Sequence, residues 1–154
     1  MKRRTLLKGS LAGSAVALAA SAGLLTPSSV LSAWNKPAFA VQSVSKALTS
    51  MLGTSKLILS NEVTISGPDI AENGAVVPIK ISSSLANVKS LSIVVKNNPA
   101  PLLANFKLSE STNAYAAVRI KMGKTSPVMA VAETADGLFY SEKEVKVTIG
   151  GCGG

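Results

Sequence analysis

An all-β domain, an antiparallel sandwich of two sheets, is what this sequence predicts, and three observations carry that reading. Apolar and polar residues alternate in about eight short runs, spaced roughly 8–12 residues apart. Turn-forming Gly, Pro, Asn and Asp separate the runs. After the last run, four glycines surround the only cysteine of the chain, as Gly150-Gly151-Cys152-Gly153-Gly154.

Taken in order, residues 1–40 read as an export leader. Lys2, Arg3, Arg4 and Lys8 form a charged head, and Gly9 to Leu25 is small, apolar and uncharged. Ala38-Phe39-Ala40 is an A-x-A site, so signal-peptidase cleavage is expected after Ala40, with the mature chain starting at Val41. The apolar stretch is too short, and too rich in Gly, Ala and Ser, for a membrane span. Arg3-Arg4-Thr5-Leu6-Leu7-Lys8 has the form of a twin-arginine signal peptide. An ordinary secretory leader that holds two arginines is the alternative, and both place the mature chain in the bacterial periplasm. No cysteine lies near the cleavage site, and Cys152 is third from the end where prenylation needs the fourth. No membrane anchor is expected.

The domain proper is expected over 41–149. Val44, Leu48, Met51 and Leu52 recur at helical spacing, which predicts a short helix over 41–52 with Gly53 as its stop. Leu57-Ile58-Leu59 and Val63-Thr64-Ile65 are brief strands. Gly67-Pro68-Asp69 and Glu72-Asn73-Gly74 are turns, the latter because Asn-Gly tolerates positive φ. Val77, Ile79 and Ile81 alternate with Pro78, Lys80 and Ser82. Leu91, Ile93 and Val95 alternate with Ser90, Ser92 and Lys96, and Asn97-Asn98-Pro99 ends that strand. Leu102 to Leu108, Tyr115 to Met122 and Val128 to Glu133 follow. Asp136-Gly137 turns the chain into Leu138 to Ser141, and Val145, Val147 and Ile149 close the series. Alternation sends one face of each strand to the core and lysine or serine outward. The class is immunoglobulin-like, without the usual disulfide and core tryptophan, since the one Trp, Trp34, is in the leader. The apolar content, 47%, and strands such as Leu91 to Val95 and Leu102-Leu103 predict more apolar surface than one small core buries.

Composition then removes whole classes of function. The chain has 16 basic and 8 acidic residues, but five of the bases and none of the acids are in the leader, which leaves net +3. With no dense basic run and only Phe106, Tyr115, Phe139 and Tyr140 as aromatics outside the leader, nucleic-acid binding is not supported. The chain contains no histidine and one cysteine, so it has neither a Ser-His-Asp nor a Cys-His arrangement, and no His/Cys metal site. No glycine-rich phosphate loop precedes a helix, and no cofactor is expected. Glu142/Glu144 and Glu133/Asp136 sit at strand ends and turns, where solvation explains them. Arg119, the single arginine outside the leader, is expected to face solvent or a partner, with anion binding as its alternative role.

Cys152 is the remaining reactive group. Glycine on both sides leaves the sulfur without a packing neighbour and lets the backbone take most angles. The steps from Ile149 to Cys152 extend the thiol roughly 10 Å from the last strand. No Lys, Arg or His lies in the last five residues, so the thiol is expected near the ordinary value of about 8.5 until another protein supplies positive charge. These features describe a covalent carrier whose catalysts are its partners. An unstable intermediate held on an arm stays at high effective concentration for a docked enzyme. Two other classes stand beside it: a structural module that uses Cys152 only for disulfide-linked dimers, and a thiol peroxidase or sulfurtransferase. A loose glycine arm fixes dimer geometry poorly, and a thiol without a cationic neighbour makes a poor enzyme.

The mature chain resembles the SoxY family of the periplasmic thiosulfate-oxidising system. The resemblance runs through Pro68 to Gly74, Asn98-Pro99, Val128 to Gly137, and Lys143 to Ile149 leading into the Gly-Gly-Cys-Gly-Gly tail. It implies that Cys152 is the covalent attachment site, that Gly150, Gly151, Gly153 and Gly154 make the arm flexible, and that the chain is not an enzyme. It also implies a heterodimer with a SoxZ-like subunit. Transient docking partners are implied too: the haem enzyme SoxAX, which forms the S-thiosulfonate, the manganese hydrolase SoxB, which releases sulfate and leaves a persulfide, and a sulfane dehydrogenase or other sulfur acceptor.

Overall fold

Helix α1, Lys36–Ala40, opens the described part of the computed structural model, which covers residues 35–148. The Asn35 side chain caps it by accepting from Ala38 N at 3.3 Å, and Pro37 in its first turn gives up no hydrogen bond there. Helix α2, Val44–Leu52, starts at Ser43, whose Oγ accepts from Lys46 N at 3.5 Å. Gly53 ends it at φ 79°, a left-handed position that suits glycine, with its N–H donating to Thr49 O at 2.9 Å. The predicted helix therefore begins at Val44 and not Val41. Helix α1 falls in the stretch that the sequence reading assigned to the leader.

Nine strands follow among the described residues: β1 Leu57–Leu59, β2 Val63–Ser66, β3 Ile70–Ala71, β4 Val77–Ser83, β5 Ser90–Val95, β6 Leu102–Lys107, β7 Tyr115–Ile120, β8 Ser126–Glu133 and β9 Leu138–Val147. They form a six-stranded sheet, ordered β1-β9-β8-β5-β6 with β3 also on β9, and a three-stranded sheet ordered β2-β4-β7. The sheets are antiparallel apart from β1 and β3, which run parallel to β9. Leu138 to Ser141 and the run from Val145, read as two strands, are one continuous strand. At the β8–β9 hairpin, Thr134 N donates to Gly137 O at 3.0 Å, and Gly137 takes φ 142°, which favours glycine.

The core between the sheets follows the predicted alternation. Val77, Ile79 and Ile81 of β4 meet Leu91, Ile93 and Val95 of β5, with Val128, Ala130 and Val145 beside them. A second core was not predicted. The opposite face of the large sheet contributes Val94, Leu102, Met129, Val131 and Leu138, and Ala38, Ala47 and Leu48 of the two helices cover it. Helices and sheets thus make three layers.

That second cover corrects the expectation for β5. All six of its residues are buried, Ser90 and Ser92 included, because a sheet covered on both faces has no solvent side. Their hydroxyls are satisfied internally. Ser90 Oγ donates to Glu133 Oε2 at 2.6 Å, and Asn105 Nδ2 donates to Ser90 Oγ at 3.2 Å and to Ser92 Oγ at 2.9 Å. The apolar runs Leu91 to Val95 and Leu102 find their cover within the chain. The exposed large apolar residues are instead Ile58, Leu59, Ile70, Val76 and Tyr115.

Candidate functional site

The candidate site is the root of the carboxyl-terminal arm. Cys152, Gly150, Gly151, Gly153 and Gly154 lie outside the described residues, as do Arg3 and Arg4. What is described is the structure from which the arm departs. Strand β9 delivers it, held along one edge by β8 from Ser126↔Val145 to Glu133↔Leu138. On the other edge β1 pairs with its start and β3 with its end, Ile70↔Lys146 and Ala71↔Val147. The last described residue, Thr148, donates its N–H to Ala71 O at 3.2 Å, and Lys146 N donates to Asp69 O at 2.9 Å.

Side chains complete the anchorage. Lys143 Nζ donates to Gly67 O at 2.7 Å and pairs with Asp69 Oδ1 at 2.8 Å, which ties the β2–β3 loop to β9. The hydrogen bond and charge of Lys143 hold the Asp69 carboxyl below its ordinary value, against a small opposing effect of desolvation. Val147 N donates to Thr125 Oγ1 at 3.0 Å, in the β7–β8 loop. Asn98 in turn holds that loop: its Nδ2 donates to Lys121 O at 2.8 Å and its Oδ1 accepts from Gly123 N at 3.1 Å. Asn97 Nδ2 adds a bond to Thr125 O at 3.0 Å.

Gly74 fills the remaining space. A Cβ there would stand 2.4 Å from Met122 O and 2.9 Å from Val147 Cγ1. Its φ is not in the left-handed region, so the sequence reading gave the wrong reason for this glycine. The turn itself is built by Asn73, whose Oδ1 accepts from Ala75 N at 2.9 Å. Three separate stretches that carried the family resemblance, 68–74, 98–99 and 143–148, therefore meet at one place. Sequence spacing could not show that convergence, because it depends on strand pairing between distant segments.

The other sequence candidates are placed apart from the arm's root. Glu142 pairs with Lys96, and Glu133 accepts from Ser90, so both carboxylates already have partners. Arg119 is exposed on β7. Ala40 is the last residue of α1, two residues past the fully buried Ala38. Among the described residues, no group of His, Cys, Asp or Glu could hold a metal ion, and no helix is long and apolar enough to cross a membrane.

Comparison with known proteins bears on the whole of this region. The family model described as sulfur oxidation protein SoxY matches residues 48–152, which takes in the anchored strand and Cys152. Comparison with curated proteins finds no match. Among solved structures, the chain is similar to the sulfur carrier protein SoxY from Chlorobium limicola f thiosulfatophilum, at 31% identity and a TM-score of 0.62, over 67% of this chain and 94% of that one. It is also similar to a superoxide reductase (neelaredoxin) from Ignicoccus hospitalis, at 14% identity and a TM-score of 0.51, over 57% of this chain and 81% of that one. The latter is a likeness of fold alone.

Proposed function

The chain belongs to the SoxY family of sulfur oxidation proteins, and from that premise we propose that it carries sulfur intermediates covalently on Cys152 and is not itself an enzyme. The observation that carries this reading is the contrast at the end of β9. The strand is fixed by backbone bonds, an ion pair and a close-packed glycine as far as Thr148, and the sole thiol follows four residues later.

The chemistry needs nothing more from this chain than a thiol. Loading joins the cysteine sulfur to the outer sulfur of thiosulfate, forming Cys–S–S–SO3−. That step releases one proton and two electrons, which a haem partner of the SoxAX type accepts. Hydrolysis of the S–SO3 bond by a SoxB-type enzyme consumes one water, releases sulfate with a proton and leaves a persulfide. A sulfane dehydrogenase, where present, then oxidises the outer persulfide sulfur to a sulfonate, consuming three waters and taking up six electrons as seven protons are released; otherwise the sulfur passes to another acceptor. The chain works in the periplasm as a heterodimer with a SoxZ-like subunit. The glycines beside Cys152 let the sulfur enter several unrelated clefts without a Cβ at the cleft mouth.

Intact mass of the protein from thiosulfate-grown periplasm tests the proposal. Thiosulfonate or persulfide on the C-terminal peptide is expected, and Cys152→Ser is expected to abolish loading and sulfate release with the purified partner enzymes. Only free thiol and symmetric disulfide on wild type, or sulfate release by Cys152→Ser, would overturn it. The first of those results is what a disulfide-linked structural module predicts.

A further inference from the structure

The turn between β3 and β4 holds the one Asn-Gly pair of the chain, Asn73-Gly74. Every other asparagine is followed by a residue with a Cβ, which hinders the next main-chain nitrogen from approaching the side-chain carbonyl. At Gly74 that hindrance is absent. Asn73 is exposed, so water reaches it. The Gly74 N–H has no acceptor among the described residues, so no hydrogen bond holds its nitrogen away from the side chain. Ala75 N donates to Asn73 Oδ1 at 2.9 Å, which folds the side chain back over the Asn73–Gly74 peptide. The same N–H polarises the carbonyl and stands beside the oxygen on which negative charge develops during attack.

These are the parts of a deamidation. Gly74 N attacks Asn73 Cγ and gives up its proton, the side-chain amide leaves as ammonia, and a succinimide ring closes. Water then opens the ring at either carbonyl. One opening gives aspartate and leaves the path of the chain unchanged. The other gives isoaspartate, in which the main chain runs through the former side-chain methylene. In sum, an amide and water become a carboxylate and ammonium, and no electrons are exchanged.

Tertiary packing opposes the first step. Gly74 O accepts from Met122 N at 2.7 Å. The slot has no space even for a Cβ, which would stand 2.4 Å from Met122 O and 2.9 Å from Val147 Cγ1. Ring closure draws Gly74 N toward Asn73 Cγ, so Gly74 must leave the slot before the ring forms. Asn98 steadies the far wall, through Lys121 O and Gly123 N on either side of Met122. The bond from Ala75 to Asn73 lies within the turn and moves with it. Activation is therefore local, and the restraint is tertiary.

We infer that Asn73-Gly74 is a self-modification site, gated by the packing of its turn against Met122 and Val147, and that isoaspartate formed there keeps the turn from closing again. The added main-chain atom lengthens the path between Ala71, which pairs with Val147, and Gly74, which is bonded to Met122. The new carboxylate also stands next to Glu72. Strand β3 is thereby loosened from β9, at the bonds from Lys146 N to Asp69 O and from Thr148 N to Ala71 O. None of these steps involves Cys152, so the inference does not depend on the carrier reading.

Ageing of the full chain at mildly alkaline pH, followed by peptide mapping, tests it. Deamidation is read as a mass gain in the peptide that contains Asn73, whereas isomerisation at Asp136-Gly137 leaves mass unchanged. The native chain is expected to react at least about tenfold more slowly than the same chain in urea, because ring closure waits for local opening. Asn98→Ala is expected to react faster than wild type under native conditions. Equal rates in the native and urea-unfolded chain, or an unchanged rate in Asn98→Ala, would overturn the gate. Aged protein is then enriched by ion exchange for the added charge, and isoaspartate methyltransferase labelling of the same peptide identifies the isoaspartyl form. In that form the amide hydrogens of Lys146 and Thr148 are expected to exchange faster than in unaged protein. Asn73→Asp adds the charge without the extra main-chain atom and is expected to keep both amides protected. Isoaspartyl protein that protects both amides as well as unaged protein does would overturn the loosening.

Discussion

Gly74 shows how a single residue holds the root of the arm. Adding a methyl group there drives it into Met122 O and Val147 Cγ1, at 2.4 and 2.9 Å. Gly74→Ala is expected to destabilise the domain by about 1–3 kcal/mol. Gly123→Ala, with nothing within 4 Å, is expected to stay within about 0.5 kcal/mol of wild type. Urea denaturation of both variants checks the contrast, and equal effects would sink it. Asp69 gives a pH signature. Its folded-state carboxyl titrates below the ordinary value of 3.8, so its contribution is present above that pH and is lost as pH falls through the lower folded-state value. Asp69→Asn is therefore expected to be less stable than wild type near neutrality and to converge with it in acid. Parallel stability curves down to the acid limit would contradict the assignment. The effect is small, because the Asp69 side chain is 89% exposed.

At the scale of elements, α1 and the cleavage site compete for the same residues. Ala38 is fully buried among Leu48, Val94 and Leu102, and Asn35 Nδ2 donates to Ser50 O at 2.7 Å. Cleavage after Ala40 separates this helix from the domain, and a peptidase needs the site extended, so α1 must first unfold. A chain starting at Val41 is expected to be less stable than one starting at Asn35, by on the order of 1–3 kcal/mol. It is also expected to bind more of a hydrophobic dye. Export gives the complementary test: with Arg3 and Arg4 both replaced by Lys, the protein is expected to remain in the cytoplasm. N-terminal sequencing of exported wild type then reads the cleavage point, and a start at Asn35 or earlier would refute cleavage after Ala40. The reason α1 escaped the sequence reading is plain. Lys36 to Ala40 is too short for periodicity, and its A-x-A pattern already had an explanation.

For the whole molecule, strand alternation made the inner core legible, since Val77, Ile79 and Ile81 follow the simple rule of one buried face. The same rule failed at Ser90 and Ser92, because a strand's own sequence does not say whether helices cover its far side. The proposed attachment residue rests on chemistry and not on geometry: Cys152 is the one thiol of the chain, and it lies outside the described residues. The exposed apolar residues lead to an expectation at this scale. Ile58 and Leu59, 49% and 68% exposed, lie on β1 at the edge of the large sheet. An edge of this kind invites pairing with another chain. The protein without a partner subunit is expected to self-associate as concentration rises, and Leu59→Lys is expected to reduce that. Light scattering that shows a monomer throughout, for wild type, would contradict it.

Strand β9 also has a mechanical meaning. In the proposed carrier role, an enzyme that grips Cys152 and lets go would exert a tug on the end of the strand. Bonds to β8 on one flank and to β1 and β3 on the other lie across the strand axis, so they share a load along it in shear and do not open one after another like a zip. In that role the tether is rooted in a strand that the large sheet grips from both sides at its start and at its end, so that a partner hauling on the cargo would not unravel the carrier.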